Sequence, residues 1–138
     1  MHWTEIVERR IGDVVIFDLH GQMTLTGDES PRLLLQIRRV SAAGCRQVLL
    51  NLTHVSYVDS MGIGEIVGAY TRVAREGGQL SLFGVSSRIQ ELLDTTNIGT
   101  IIASFPDEAA ALRAVSEMAS GVSKSPSPQE TPGTRDEN

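Results

Sequence analysis

A hydroxyl beside a carboxylate, where an apolar strand would hand over to an amphipathic helix, is the arrangement in this chain most able to do chemistry. It lies in the stretch from Val55 to Gly68, as Asp59-Ser60-Met61-Gly62-Ile63-Gly64. Serine is a favoured N-cap, so Ser60 is expected to cap the helix that follows. A helix N-terminus also stabilises an anion. Phosphorylation of Ser60 would add about −1.5 to −2 charges at that end. The helix would accept them, so the fold is expected to survive the modification. A partner docked on the adjacent face would meet like charge or a buried unpaired charge, at a cost of several kcal/mol. That is roughly a hundredfold or more in affinity.

The glycines bear on the same reading. Gly62 falls in the first turn, and Gly64 and Gly68 lie four apart on one face with Met61, Glu65 and Arg72. Ile63, Ile66, Val67, Tyr70, Val73 and Ala74 make the opposite, apolar face. The glycine face is therefore expected to be exposed and low in relief, so that a partner can approach closely. The expected contact set is Asp59, Ser60, Met61, Gly62, Gly64, Glu65 and Gly68. The competing explanation is that the glycines relieve crowding inside the domain.

Other chemistries fit less well. A nucleophile elbow needs glycine two residues before the serine, but Val58 stands there, and His2, His20 and His54 all precede Ser60. Gly62, Gly64 and Gly68 miss the dinucleotide spacing by one residue, and the next strand offers no acid for a ribose. Cys45, a lone cysteine, excludes an internal disulfide and a cysteine metal cluster. No metal or cofactor is expected.

Elements that could position Ser60 are legible on both sides of it. Residues 5–11 read as a strand, Gly12-Asp13 as a hairpin turn, and the β-branched run from Val14 as a second strand ending at Gly21. Residues 30–43 read as a helix, with Pro31 at its start and Leu33, Leu34, Ile37 and Val40 inward. Arg46 to Leu52 reads as a buried strand, and Thr53 to Asp59 as a turn. The helix from Ser60 to about Glu76 ends at Gly77-Gly78. Leu80 to Phe83 reads as a strand. Ser86 or Ser87 caps a helix carrying Ile89, Leu92 and Leu93, and Ser87 with Gln90 fits a capping box. Thr100 to Ser104 reads as a last strand. Pro106 and Asp107 open a helix with Ala111, Leu112, Val115 and Met118 inward. Strands alternating with helices imply a largely parallel α/β sheet with one antiparallel edge hairpin.

The 138 residues suit one domain, expected over residues 1–120. Residues 121–138 are rich in Ser, Pro, Thr, Gly and charge, and read as a disordered polar tail. With aromatics at 4%, aliphatic side chains must fill the core. The net charge of −5 disfavours nucleic acid and anionic membranes. No apolar run approaches the ~20 residues of a membrane span, and no signal core opens the chain, so a cytoplasmic location and no direct membrane insertion are expected.

Asp59-Ser60-Met61-Gly62-Ile63-Gly64, between an apolar strand and an amphipathic helix, resembles the signature of STAS domains, the family of bacterial anti-sigma-factor antagonists and sulfate-transporter tails. Leu19-His20-Gly21-Gln22-Met23, Val48-Leu49-Leu50-Asn51-Leu52, Gly77-Gly78-Gln79-Leu80, Phe83-Gly84-Val85-Ser86 and Leu92-Leu93-Asp94 are similar in order and spacing, over residues 5–118. The resemblance implies a mixed sheet with four helices and no catalytic activity. It implies that Ser60 is phosphorylated by an anti-sigma factor with serine-kinase activity. The unphosphorylated form would bind that partner and free a sigma factor, and a phosphatase would restore it. ATP and magnesium would belong to the kinase.

Two positions depart from the family pattern. Met61 stands where Ser, Thr or Ala is frequent and makes the local surface more apolar. Thr24, in Gly21-Gln22-Met23-Thr24, stands where an Asp is frequent, and the loss of that acid weighs against efficient phosphorylation. The alternative use of the same fold is a non-phosphorylated scaffold subunit, in a signalling assembly or beside a membrane transporter.

Overall fold

A computed structural model describes residues 3–23 and 32–119. Strand β1, Trp3–Ile11, and strand β2, Val14–Met23, form an antiparallel hairpin. Its two-residue turn needs a positive φ, which Gly12 supplies at 60°. Helix α1 spans Arg32–Ala42, strand β3 Gln47–Val58 and helix α2 Ser60–Arg75. Strand β4 spans Gln79–Phe83, helix α3 Ser87–Thr95, strand β5 Ser104–Phe105 and helix α4 Glu108–Ala119. The sheet order is β1-β2-β3-β4-β5, parallel from β2 onward. This is the mixed sheet with an antiparallel edge hairpin and four helices that the sequence led us to expect.

Helices cover both faces of the sheet. On one face, Leu33, Ile37 and Val40 of α1, Ile63, Ile66, Ala69 and Val73 of α2, and Ile89 and Leu93 of α3 pack on Val15, Phe17, Leu19, Leu50 and Leu82. On the other, Ala111 and Val115 of α4 pack on Val14, Ile16, Leu49 and Phe83. Two-sided burial is why Val14 to Phe17 and Val48 to Leu50 are unbroken apolar runs instead of alternating ones. A half-buried polar cluster also ties α4 to the sheet. Arg9 donates to Asp18 at 2.6 and 3.0 Å and to Glu108 at 2.7 and 3.3 Å, and the Asn51 amide donates to Asp18 at 2.8 Å.

Several expectations are corrected. Thr53 to Val58 is not a turn: β3 continues through it, paired with β2 beyond the end of β4. The pairing slips between Asp18↔Asn51 and His20↔His54, and again between Gly21↔Val55 and Gln22↔Tyr57. Each slip adds one residue to β3, so the inward residues are Leu52, Val55 and Val58, three apart. Thr100 to Ser104 is not a strand. Ile98–Thr100 is a 3₁₀ turn, entered through Asn97 at φ 64°, and the Ile102 N–H donates to the Ile98 carbonyl at 3.0 Å. This packs Ile98 and Ile102 four residues apart into the core, and leaves β5 with two residues. In α2, Ala69 is buried and Ala74 exposed. Ser86 caps α3, its hydroxyl accepting the Ile89 N–H at 3.3 Å. The expected tail, Thr24, Pro31 and the Met118 side chain lie outside the described residues.

Candidate partner-binding site at the start of helix α2

Strand β3 delivers the chain to the site through Val58, which is 4% exposed and packed in the main core. Asp59 follows, half-buried. Its Oδ1 accepts the Gly62 N–H at 3.1 Å, and its carbonyl accepts the Ile63 N–H at 2.9 Å. Asp59 is therefore the residue that caps α2. The expectation that Ser60 does so is corrected, because the aspartate reaches the N–H three residues ahead while Ser60 is already helical. Ser60 occupies the first helical position and is exposed. Its hydroxyl stands at the positive end of a 16-residue helix that does not need it as a cap.

The remaining candidates separate into an outer and an inner group. Gly64 is exposed, and a methyl group there would meet nothing within 4 Å. Gly62 is buried in the first turn. Glu65 is half-buried and its Oε2 accepts the Leu33 N–H at 3.1 Å, so it caps the start of α1. Gly68 is also half-buried, and a methyl group there would lie 3.5 Å from the Leu34 methyls. Glu65 and Gly68 thus face α1, while Ser60 and Gly64 form the outer surface. The Met61 side chain lies outside the described residues.

The described histidines lie on the neighbouring strands β2 and β3, before Ser60 in the chain. His20 and His54 stack on each other, with ring centroids 4.8 Å apart and planes 6° apart. His54 precedes Ser60 by six residues, roughly 15–20 Å along the strand. No group of three or more potential metal ligands occurs among the described residues, and no described helix is long and apolar enough to cross a membrane.

Away from Ser60, the Arg9 cluster perturbs two charges. Burial pushes the Asp18 carboxyl up, but hydrogen bonds from Arg9 and Asn51 outweigh it and hold the group below the usual carboxylate range. Asp18, then Glu108, raise the Arg9 guanidinium further above its ordinary value against the effect of burial.

One surface beside the site was not singled out from the sequence. Tyr57, Val58, Arg88, Ile89, Glu91, Leu92 and Thr95 line a cleft of about 340 Å³ between the end of β3 and α3. Its one sequence signal is an exposed aromatic, Tyr57, in a chain with few aromatics.

Comparison with known proteins places this geometry. The STAS domain family matches residues 5–111. The chain is 25% identical over 99 residues to the anti-sigma F factor antagonist of Paenibacillus polymyxa, covering 72% of this chain and 84% of that protein. It is 42% identical over 53 residues to the anti-sigma-B factor antagonist of Listeria monocytogenes, covering 38% of this chain and 46% of that protein, so this match spans about half of the relative's length. The unphosphorylated form of the anti-sigma factor antagonist SpoIIAA superposes with a TM-score of 0.61 at 14% identity, over 83% of this chain and 98% of that one. The phosphorylated form of Bacillus SpoIIAA gives a TM-score of 0.61 at 17% identity, over 80% and 99%. At these identities the superpositions speak to the fold alone. With a family match running from the first hairpin into the last helix, the chain belongs to the STAS domain family.

Proposed function

We propose that this chain is an anti-sigma-factor antagonist that works as a phospho-switch on Ser60. Unphosphorylated, it binds an anti-sigma factor through the start of α2. That partner is also a serine kinase, and phosphorylation of Ser60 ends the contact until a phosphatase restores it. The exchange is read as cytoplasmic, with ATP and magnesium held by the kinase. The names of the relatives, anti-sigma F and anti-sigma-B factor antagonists, support the partner class.

The observation that carries the reading is the division of labour between Asp59 and Ser60. Asp59 holds the helix end, and Ser60 stands exposed on it. A phosphate there meets the helix's positive end, so it is tolerated by the fold. The same phosphate adds charge at a surface where a partner would exclude water.

Calorimetric titration with a purified anti-sigma factor kinase tests the reading. Ser60→Ala is expected to bind at least as well as the wild type. Ser60→Glu is expected to weaken binding roughly a hundredfold, with an unchanged circular dichroism spectrum. Equal binding by both variants would remove Ser60 from the interface.

A further inference from the structure

We propose that His20 and His54 form a two-point site for a divalent transition-metal ion of the zinc type. Each histidine supplies one imidazole nitrogen, and water fills the remaining positions. The site is distinct from Ser60 and independent of the switch.

Strand register brings the pair together. Asp18 of β2 stands opposite Asn51 of β3, so unbroken pairing would set His20 opposite Thr53. The extra residue in β3 sets His20 opposite His54 instead. Bulges of this kind re-aim side chains and are over-represented next to active sites. Leu19, Leu52 and Val55 turn into the main core, so His20 stands on the other face of the sheet, two residues beyond Asp18. His54 stacks on it there, with ring centroids 4.8 Å apart.

The donor type selects the metal. Neutral imidazole is the commonest protein ligand for metals and suits zinc, copper and nickel, whereas magnesium and calcium take oxygen donors. Zinc–nitrogen bonds of about 2.0–2.1 Å in tetrahedral geometry place two ligating nitrogens about 3.3 Å apart. Neighbouring strands lie about 4.8 Å apart, a spacing that two imidazoles on paired residues can bridge through one cation. The stacked rings are parallel within 6°, and turning each about its Cβ–Cγ bond aims one nitrogen of each at a common point. His54 is exposed and His20 half-buried, so the rings have room to turn and a cation can reach them from solvent. Two protein ligands leave positions open, unlike the four of a closed structural zinc site.

The surrounding charge favours a cation. The Asp18 carboxylate interacts electrostatically with His20. Arg9 is shared between Asp18 and Glu108, one positive charge against two negative ones, so the cluster beside the histidines is net negative. The net charge of −5 on the whole chain acts in the same direction.

Zinc titration of the full chain by calorimetry, in chelator-free buffer, tests the site. Wild type is expected to bind one zinc ion per chain through this pair. His20→Gln and His54→Gln are each expected to weaken the zinc Kd about tenfold or more, since loss even of a ligand's outer partner costs that much in metal affinity. His2→Gln, at the third histidine of the chain, is expected to bind as wild type does. Magnesium in place of zinc is expected to give no binding. Circular dichroism checks that each variant is folded. NMR of the wild type reads the site without any substitution: zinc is expected to shift the ring resonances of His20 and His54 together. Wild type that binds no zinc, binding that either His20→Gln or His54→Gln leaves unchanged, ring resonances that do not move, or binding lost in His2→Gln would overturn the site.

Discussion

At the scale of single residues, Asp59 and Ser60 divide two tasks that a capping serine would have to share. Because the Asp59 carboxylate accepts the Gly62 N–H, Asp59→Ala is expected to cost about 1 kcal/mol, lowering Tm by a few degrees. Ser60→Ala is expected to stay within about 0.5 kcal/mol of wild type, since its side chain is exposed and Asp59 holds the cap. Thermal denaturation followed by circular dichroism measures both, and the reverse order would return the cap to Ser60. Asp18 carries a second prediction. Its carboxyl is held below the ordinary value of 3.8 because Arg9 and Asn51 overcome the opposing effect of burial. The unfolded chain therefore binds the proton first as pH falls. The Asp18 contribution is complete above about pH 4 and is lost as pH drops through the lowered folded-state value. Urea midpoints measured from pH 6 to pH 2.5 should fall less steeply below pH 4 in Asp18→Asn than in wild type. Parallel curves would mean that Asp18 contributes nothing in acid.

At the scale of elements, the helix pair α1–α2 decides what the glycines of α2 are for. A methyl group at Gly64 meets open space, and one at Gly68 makes ordinary contact with Leu34 at 3.5 Å. Neither position is kept free of a side chain by crowding within the described structure. Both Gly64→Ala and Gly68→Ala are therefore expected to raise stability by about 0.5–1 kcal/mol in urea unfolding, the gain of alanine over glycine in a helix. Gly64→Ala, on the outer surface, should in addition weaken partner binding, whereas Gly68→Ala should not. Loss of stability in either variant would restore the crowding explanation. These faces also mark how far local sequence patterns reach. The Gly12-Asp13 turn and the β-branched run after it located the hairpin, short apolar runs located the first half of β3 and all of β4, and the helical repeat located the buried stripes. The second half of β3 was hidden because two extra residues stretch its inward spacing from two to three, a pattern that belongs to neither strand nor helix. Thr100 to Ser104 misled in the opposite sense: its β-branched start closes a tight turn that seats Ile98 and Ile102 in the core. Glu65 looked like surface because its partner, the Leu33 N–H, is 32 residues away in the chain.

At the scale of the whole molecule, helices on both faces leave the carboxyl end of β3 as a firm base for Ser60. Val58 and Ile63 are buried on either side of it, so the serine is displayed from a packed frame. The segment carrying Ser60 was legible from its residue types and spacing. The cleft beside it was not, since Tyr57 and Leu92 come together only through the packing of α3 against the end of β3. Partner exchange as proposed needs a surface that changes charge without changing fold, and the start of α2 combines an exposed serine with an independent cap. Intact-mass spectrometry after incubation with a purified anti-sigma factor kinase and ATP tests this most directly, on wild type and Ser60→Ala side by side. The account predicts one added phosphate on wild type and none on Ser60→Ala. No phosphate on either protein, or equal phosphate on both, would contradict it, the first outcome pointing instead to a constitutive scaffold.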